Sequence, residues 1–165
     1  MSMGRSSVKH IAMATAGISV WLGRGAIILA PIFLRIALAL PFLKSGLTRW
    51  DGFLALSAAT EFLFSAFFKL HILGAQYPFP APLTLAYLTA TAEIVLPVLI
   101  LVGLGTRLAA LGLLAMTAVI QLVVPDGWQN FHLPWAAIAL ALIALGPGAI
   151  SLDRFLRSVV PTHSA

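Results

Sequence analysis

The chain has 165 residues, of which 61% are hydrophobic and only 9% are charged, and its mean hydropathy is +1.03. A soluble domain carries about 25% charged residues and at this size buries only about 70% of its surface, so a soluble fold is excluded. The net charge of +5 comes from basic residues that never form a run, which argues against binding of nucleic acid. Cysteine is absent, which excludes disulfides, thiolate metal sites and Cys-x-x-Cys redox chemistry.

The first 25 residues have a basic start and contain a short apolar stretch, Ile11–Leu22. This pattern is similar to the apolar core of a signal peptide, but no clear small-residue cleavage site precedes the next charge. We therefore predict that residues 1–25 are a retained lead-in that is cytoplasmic and partly interfacial.

Four later segments are apolar enough to cross a bilayer, which takes roughly 20 residues of helix. They cover residues 26–47, 83–104, 108–124 and 131–147. The third ends at the turn signal Pro125-Asp126-Gly127, and the fourth carries Pro134 in its first turn, where the missing N–H is harmless. The sequence thus predicts an all-α membrane protein, with a four-transmembrane-helix bundle over residues 26–148 and a cytoplasmic tail over residues 149–165.

The segment between the first two spans, residues 52–74, is long enough to span but carries several polar residues. They recur every four positions and so form one narrow stripe on a helix: Ser57, Glu61, Ser65 and Lys69. This pattern predicts an amphipathic helix that lies in the membrane interface, with its Phe and Leu side chains turned toward lipid. A fifth span over the same residues is the alternative.

The distribution of basic residues predicts the orientation of the four spans, because cytoplasmic loops carry an excess of Lys and Arg. One side receives Arg5, Lys9, Arg24, Arg107, Arg154 and Arg157, and the other receives Lys44, Arg49 and Lys69. We therefore predict a multi-pass protein with both termini in the cytoplasm.

Two charged residues, Arg35 and Glu93, lie inside predicted spans. Counted from the predicted span ends at 1.5 Å per residue, both lie about 15 Å deep, near the middle of a hydrocarbon core about 30 Å thick. An unpaired charge there costs at least ~2.5–3.5 kcal/mol, so opposite charges at one depth suggest a pair. This pair would either fix the register of the helices or form part of a ligand or proton site. Separate charges that snorkel toward the interfaces are the third alternative.

Weaker polar positions are candidates for the lining of such a site. Thr89 shares a helix face with Glu93, Thr117 and Gln121 share a face of the third span, and His132 begins the fourth. The spacing of His71 and His132 is not fixed by the sequence, so we predict no metal site. No phosphate loop, dinucleotide fingerprint or His-Glu-x-x-His motif is present in the sequence.

The end of the fourth span has a turn and a short helix of its own. Gly146, Pro147 and Gly148 should end the span, since Gly supports the left-handed cap and Pro cannot continue a helix. Ser151 should cap a new short helix, with Asp153 near its positive end. Arg154 and Arg157 would then face anionic lipid head groups.

Several motifs in a fixed order resemble those of the DoxX family of small bacterial membrane proteins, from about Leu29 to Phe155. They are Arg35 with the later Lys44-Ser45-Gly46, Glu93 with Pro97, the cytoplasmic turn Gly103, Thr106 and Arg107, and the closing run from Gly146 to Asp153. The usual Gly-x-x-Lys of the family after the first span is replaced here by Gly46 followed by Arg49.

The resemblance implies a four-helix bundle in the inner membrane of a bacterium and, in some members, a redox function. On this basis the function is that of a redox-associated subunit that interacts with quinone or docks a membrane or soluble oxidoreductase. Without cysteine or a cofactor motif, the chain is not expected to be a complete enzyme, and whether it has activity alone stays open. The alternative is a non-catalytic scaffold or small-solute transporter in which the Arg35–Glu93 pair is a lock or a gate.

Overall fold

The computed structural model describes the backbone of residues 3–159 and the side chains of residue 17 and residues 19–159. Within this part of the chain, four helical segments are long and apolar enough to cross a membrane. They are Ser19–Leu47, Pro82–Val102, Thr106–Val123 and Pro125–Leu145. The four predicted spans are thus confirmed, and residues 52–74 do not form a fifth.

Helix α1, Met3–Leu47, is one continuous helix of 45 residues, about 67 Å long at 1.5 Å per residue. It begins far before the predicted start of the first span at residue 26. None of its described side chains before Ala30 is buried, and packing against the bundle begins at Ala30 and Pro31. The first span therefore enters the bundle several residues later than the apolar pattern indicates.

The prediction of one amphipathic helix over residues 52–74 is wrong. The segment begins with a hairpin of β1 (Trp50–Gly52) and β2 (Ala55–Leu56). A short helix, α2 (Ala58–Phe62), follows and continues as a π-helical turn (Leu63–Phe67). A second hairpin then pairs β3 (Lys69–Ile72) with β4 (Ala75–Pro78).

Two local features explain why residues 52–74 do not form one helix. The Ser57 hydroxyl accepts a hydrogen bond from the N–H of Thr60, so Ser57 caps the helix and does not belong to its polar face. Leu73 and Gly74 both have positive φ, as the favoured two-residue turn of a hairpin requires, and this turn reverses the chain between β3 and β4.

The remaining helices are α3 (Pro82–Val102), α4 (Thr106–Val123), α5 (Leu133–Leu145) and α6 (Leu152–Val159). A 3-10 turn, Pro125–Gly127, and a π-helical turn, Trp128–His132, connect α4 to α5. Pro134 lies in the first turn of α5 and Gly146, with φ of 78°, ends it, as predicted. The Ser151 hydroxyl accepts a hydrogen bond from the N–H of Arg154, which confirms the predicted cap of α6.

The core is built where α1, α3, α4 and α5 meet. Its buried members are Leu38, Ala39, Phe42, Ile100, Ala109, Ala110, Leu113, Ala139 and Leu142. Several are alanines, which let helices approach closely, as is common in membrane bundles.

The two ends of the bundle are named by what they carry. The α6 end carries the α3–α4 turn and α6, and the hairpin end carries residues 50–78.

Candidate functional site

The Arg35 side chain is 7% exposed and is bound by backbone carbonyls of two other parts of the chain. It donates to the carbonyl oxygens of Ile100 (2.7 Å) and Leu101 at the end of α3. It also donates to those of Pro147 (3.3 Å) and Ile150 (2.6 Å) in the connection between α5 and α6. The last carbonyls of a helix lack partners within the helix and carry partial negative charge, so a guanidinium suits this position.

The predicted pairing of Arg35 with Glu93 is therefore wrong. The apolar pattern starts the first span at residue 26, whereas α1 joins the bundle only at about Ala30 and Pro31. This places Arg35 near the α6 end, beside the last turn of α3. Glu93 lies instead against Gly46, which is 11 residues further along α1, or about 16 Å.

Glu93 pairs with Arg49, which follows the end of α1 by two residues. Nε of Arg49 lies 2.5 Å from one carboxylate oxygen and Nη2 lies 2.9 Å from the other, so the contact is bidentate. The side chains are 3% exposed for Glu93 and 15% exposed for Arg49. Such two-point pairing is the strongest arrangement open to a carboxylate and a guanidinium.

The packing of α3 on α1 buries the Glu93 carboxylate. Ala86, Ala90 and Pro97 share its helix face, as predicted, and all three are buried. A Cβ built on Gly46 would lie 2.9 Å from the Cβ and the backbone carbonyl of Glu93. Only glycine fits at this contact without displacing a helix, so Gly46 allows α1 and α3 to touch beside the ion pair.

The segment at the hairpin end covers the ion pair with aromatic side chains. The Arg49 guanidinium lies 5.4 Å from the centre of the Phe64 ring, which is within range of a cation–π contact. The backbone carbonyl of Arg49 accepts hydrogen bonds from Ser57 N–H (2.9 Å) and from the Thr60 hydroxyl (3.3 Å). The start of α2 therefore holds the backbone of Arg49 in place through its carbonyl oxygen.

Trp50, next to Arg49, has a hydrogen-bond donor without a partner. Its ring packs against that of Tyr87 with centroids 6.0 Å apart, and its indole N–H is buried with no acceptor among the described residues. A buried N–H without an acceptor costs about 1–3 kcal/mol and calls for an explanation. Among the described residues, this N–H is the unsatisfied polar group beside the Arg49–Glu93 pair.

Of the other predicted polar residues, Gln121 and His132 contact each other, away from the Arg49–Glu93 pair. The Gln121 side chain lies 2.6 Å from Nδ1 of His132 and also donates to the carbonyl of Pro125 (3.0 Å), which ties α4 to the turn before α5. The Thr117 hydroxyl donates to Leu113 of its own helix, and Thr89 is half-buried on α3. His71 bonds the carbonyl of Leu122, so both histidines contact the end of α4.

Arg107 lies at the α6 end, far along α4 from Gln121. It donates to the carbonyl of Ala144 (3.4 Å) and lies beside the Gly146 turn. Asp153 does not serve its own helix but caps α4, since its two oxygens accept from the N–H groups of Gly105 (2.8 Å) and Thr106 (3.2 Å). These contacts fix α6 across the start of α4.

Of the two predicted central residues, only Glu93 belongs to the buried ion pair, and sequence reasoning missed its partner. The available signal was the position of Arg49 three residues after Gly46, the departure from the family pattern noted above.

The chain resembles known proteins over most of its length. Residues 30–126 match the sequence pattern of the DoxX family. An uncharacterized protein of Haemophilus influenzae is 27% identical over 145 residues, which cover 81% of this chain and 87% of that protein. No solved structure matches the chain. Because the match extends over more than half of the chain, this membrane protein belongs to the DoxX family.

Proposed function

We propose that the protein is a redox-associated subunit of a bacterial inner membrane that binds a quinone head group beside the Arg49–Glu93 pair. The observation that carries the proposal is the buried indole N–H of Trp50, which has no acceptor among the described residues. A quinone carbonyl is an acceptor of the required kind, and the aromatic side chains of Trp50 and Tyr87, which pack at a tilt of 58°, would contact the rest of the head group.

The residues around this donor suit such a ligand. Trp50 would donate to one carbonyl, and Tyr87 would orient the ring by stacking. The neighbouring Arg49–Glu93 pair would supply a polar, ionised contact in otherwise apolar surroundings, of the kind that marks ligand or proton sites in membranes. When bound, a quinone supplies the two-electron chemistry.

The electrons would come from a partner oxidoreductase. The sequence contains no cysteine and no recognisable cofactor motif, so we propose that the chain docks a membrane or soluble oxidoreductase and is not a complete enzyme.

The test is the binding of a short-chain ubiquinone to the purified protein, measured by equilibrium dialysis in neutral detergent. Trp50→Phe removes the N–H and keeps an aromatic ring, and loss of one hydrogen bond of about 1 kcal/mol should weaken binding about fivefold. Trp128→Phe, at the same end of the bundle, is the matched control and should bind like the wild type. Absence of binding, or an equal loss in both variants, would refute the proposed site.

A non-catalytic scaffold or small-solute transporter is the second candidate. The bidentate ion pair and the tight contact of Gly46 with Glu93 favour a lock between α1 and α3. Under this alternative, proteoliposomes would show solute flux, or the protein would hold a partner, without any quinone bound.

A further inference from the structure

A cleft of 880 Å³ opens at the α6 end of the bundle, away from the Arg49–Glu93 pair. Its walls are residues 26–31 of α1, the first turn of α4, the turn after α5 and the exposed α6. Gly148, with φ of +84°, packs against Pro31, where an added Cβ would lie only 2.7 Å away. The floor of the cleft is thus held closely against α1.

The polar side of the cleft is strongly positive. Arg107, Arg154 and Arg157 line it, and Asp153 is its acidic residue, which leaves a net charge of +2 (three positive, one negative). Both oxygens of Asp153 already accept hydrogen bonds from the backbone of α4. Within the described part of the chain, neither Arg154 nor Arg157 has an ion pair.

These contacts decide how an anion would be held. Asp153 occupies the first N–H groups of α4, so the helix start is not the binding element. The arginine side chains remain, and guanidinium groups bind phosphate oxygens by paired hydrogen bonds.

The rest of the cleft lining includes apolar side chains that are largely exposed. Ile27 is 73% exposed and Leu108 is 77% exposed, and Leu145 at the end of α5 completes this surface. A soluble anion would leave these side chains uncovered, whereas an amphiphile with an acidic head would cover both sides at once. The cleft lies at one end of the spanning helices. In a bilayer, the head groups meet the acyl chains at the ends of such helices.

We propose that this cleft binds an anionic phospholipid, with the phosphate on Arg107, Arg154 and Arg157 and an acyl chain along the α1 wall. This site is independent of the proposed quinone site, because the two lie at opposite ends of the bundle. Each arginine near a charged head group should strengthen binding about fivefold.

The test is native mass spectrometry of the full chain in neutral detergent, titrated with phosphatidylglycerol or with phosphatidylcholine of the same acyl chains. The wild type should retain phosphatidylglycerol at least tenfold more tightly. The variant Arg154→Gln/Arg157→Gln should lose about 25-fold, which is two factors of five. The control Lys44→Gln/Lys69→Gln removes the same charge at the hairpin end and should stay within twofold of the wild type.

Three outcomes would overturn the proposal. They are equal affinity for the two lipids, an equal loss in the control, and displacement of phosphatidylglycerol by millimolar inorganic phosphate, which would mark a site for soluble anions. If the double variant does not fold, Arg157→Gln alone should lose about fivefold, and an unchanged affinity in that variant would equally contradict the proposal.

Discussion

Glu93 is a carboxylate in a helix that is otherwise apolar, and its stability in that place depends on Arg49. Removing two charges from water costs several kcal/mol each, and the attraction between them repays this only when the geometry is good and the remaining polar atoms are bonded. Here the contact is bidentate, and Ser45 lies 3.4 Å from the same guanidinium. The ion pair is therefore tolerated in the fold as a unit, and removal of either charged side chain would destabilise the protein.

A double-mutant cycle should show this dependence. Arg49→Met leaves the Glu93 carboxylate buried without a partner and should lower the free energy of unfolding by about 3–5 kcal/mol. Arg49→Met/Glu93→Leu should recover most of this loss, because packed apolar side chains of similar volume often replace buried ion pairs at no cost. The measurement is thermal unfolding in detergent.

Arg35→Met provides the matched control for that cycle. Arg35 bonds backbone carbonyls and not Glu93, so Arg35→Met/Glu93→Leu should show no recovery, only the sum of the single effects. Recovery with Arg35 and none with Arg49 would mean that the ion pair assigned here is not the one that matters in the folded protein.

Helices whose limits depend on neighbouring residues alone were predicted correctly. The four spans follow from runs of apolar residues, and the end of α5 follows from the conformations available to Gly146 and Pro147. The prediction of one helix over residues 52–74 was wrong because Ser57 is equally compatible with a polar helix face and with a helix cap. Only the tertiary contact of the Arg49 carbonyl with Ser57 and Thr60 selects the second.

The partner of Glu93 could not be predicted from the sequence for a related reason. The partner of Glu93 depends on the residue at which α1 joins the bundle. The apolar pattern does not mark that residue, because it begins well before the first buried residue of α1. The same error in register placed Arg35 too deep. Its true partners are backbone carbonyls, which no residue pattern reports.

The helix α6 is short, and its attachment to the bundle depends strongly on Asp153. The carboxylate satisfies two N–H groups at the start of α4, and the N–H of Asp153 donates to the carbonyl of Gly103 (2.9 Å). A cap of this kind contributes about 0.5–2 kcal/mol. Asp153 thus connects two elements that are 47 residues apart in the chain.

Replacing Asp153 by alanine should therefore loosen α6 without unfolding the bundle. We expect trypsin to cleave the Asp153→Ala variant after Arg154 or Arg157 several times faster than the wild type. The reason is that the free energy needed for local opening of α6 falls by about 1 kcal/mol. Asp51→Ala, at the hairpin end, removes the same charge and should leave cleavage unchanged. Equal rates for all three proteins would show that other contacts hold α6 in place.

At the scale of the whole molecule, the positions of the charges bear on its orientation in the membrane. The α6 end carries Arg107, Arg154 and Arg157 at its cleft, whereas Arg49 at the hairpin end is neutralised by Glu93. Lys44 and Lys69 are exposed at the hairpin end, whereas Arg107, Arg154 and Arg157 are exposed at the α6 end, so the described bases are biased in the direction that the sequence count indicates. By the positive-inside rule, the α6 end should face the cytoplasm.

The absence of cysteine makes this orientation directly measurable, since any introduced thiol is the only one in the chain. Gln76→Cys places a thiol on the exposed strand β4, and Ser158→Cys places one on the exposed face of α6. With a maleimide that does not cross membranes, intact spheroplasts should label Gln76→Cys, and Ser158→Cys should react only after lysis. The reverse pattern would place α6 outside the cell, and the arginine cleft would then face the outer leaflet, where the positive-inside rule would no longer explain its charge.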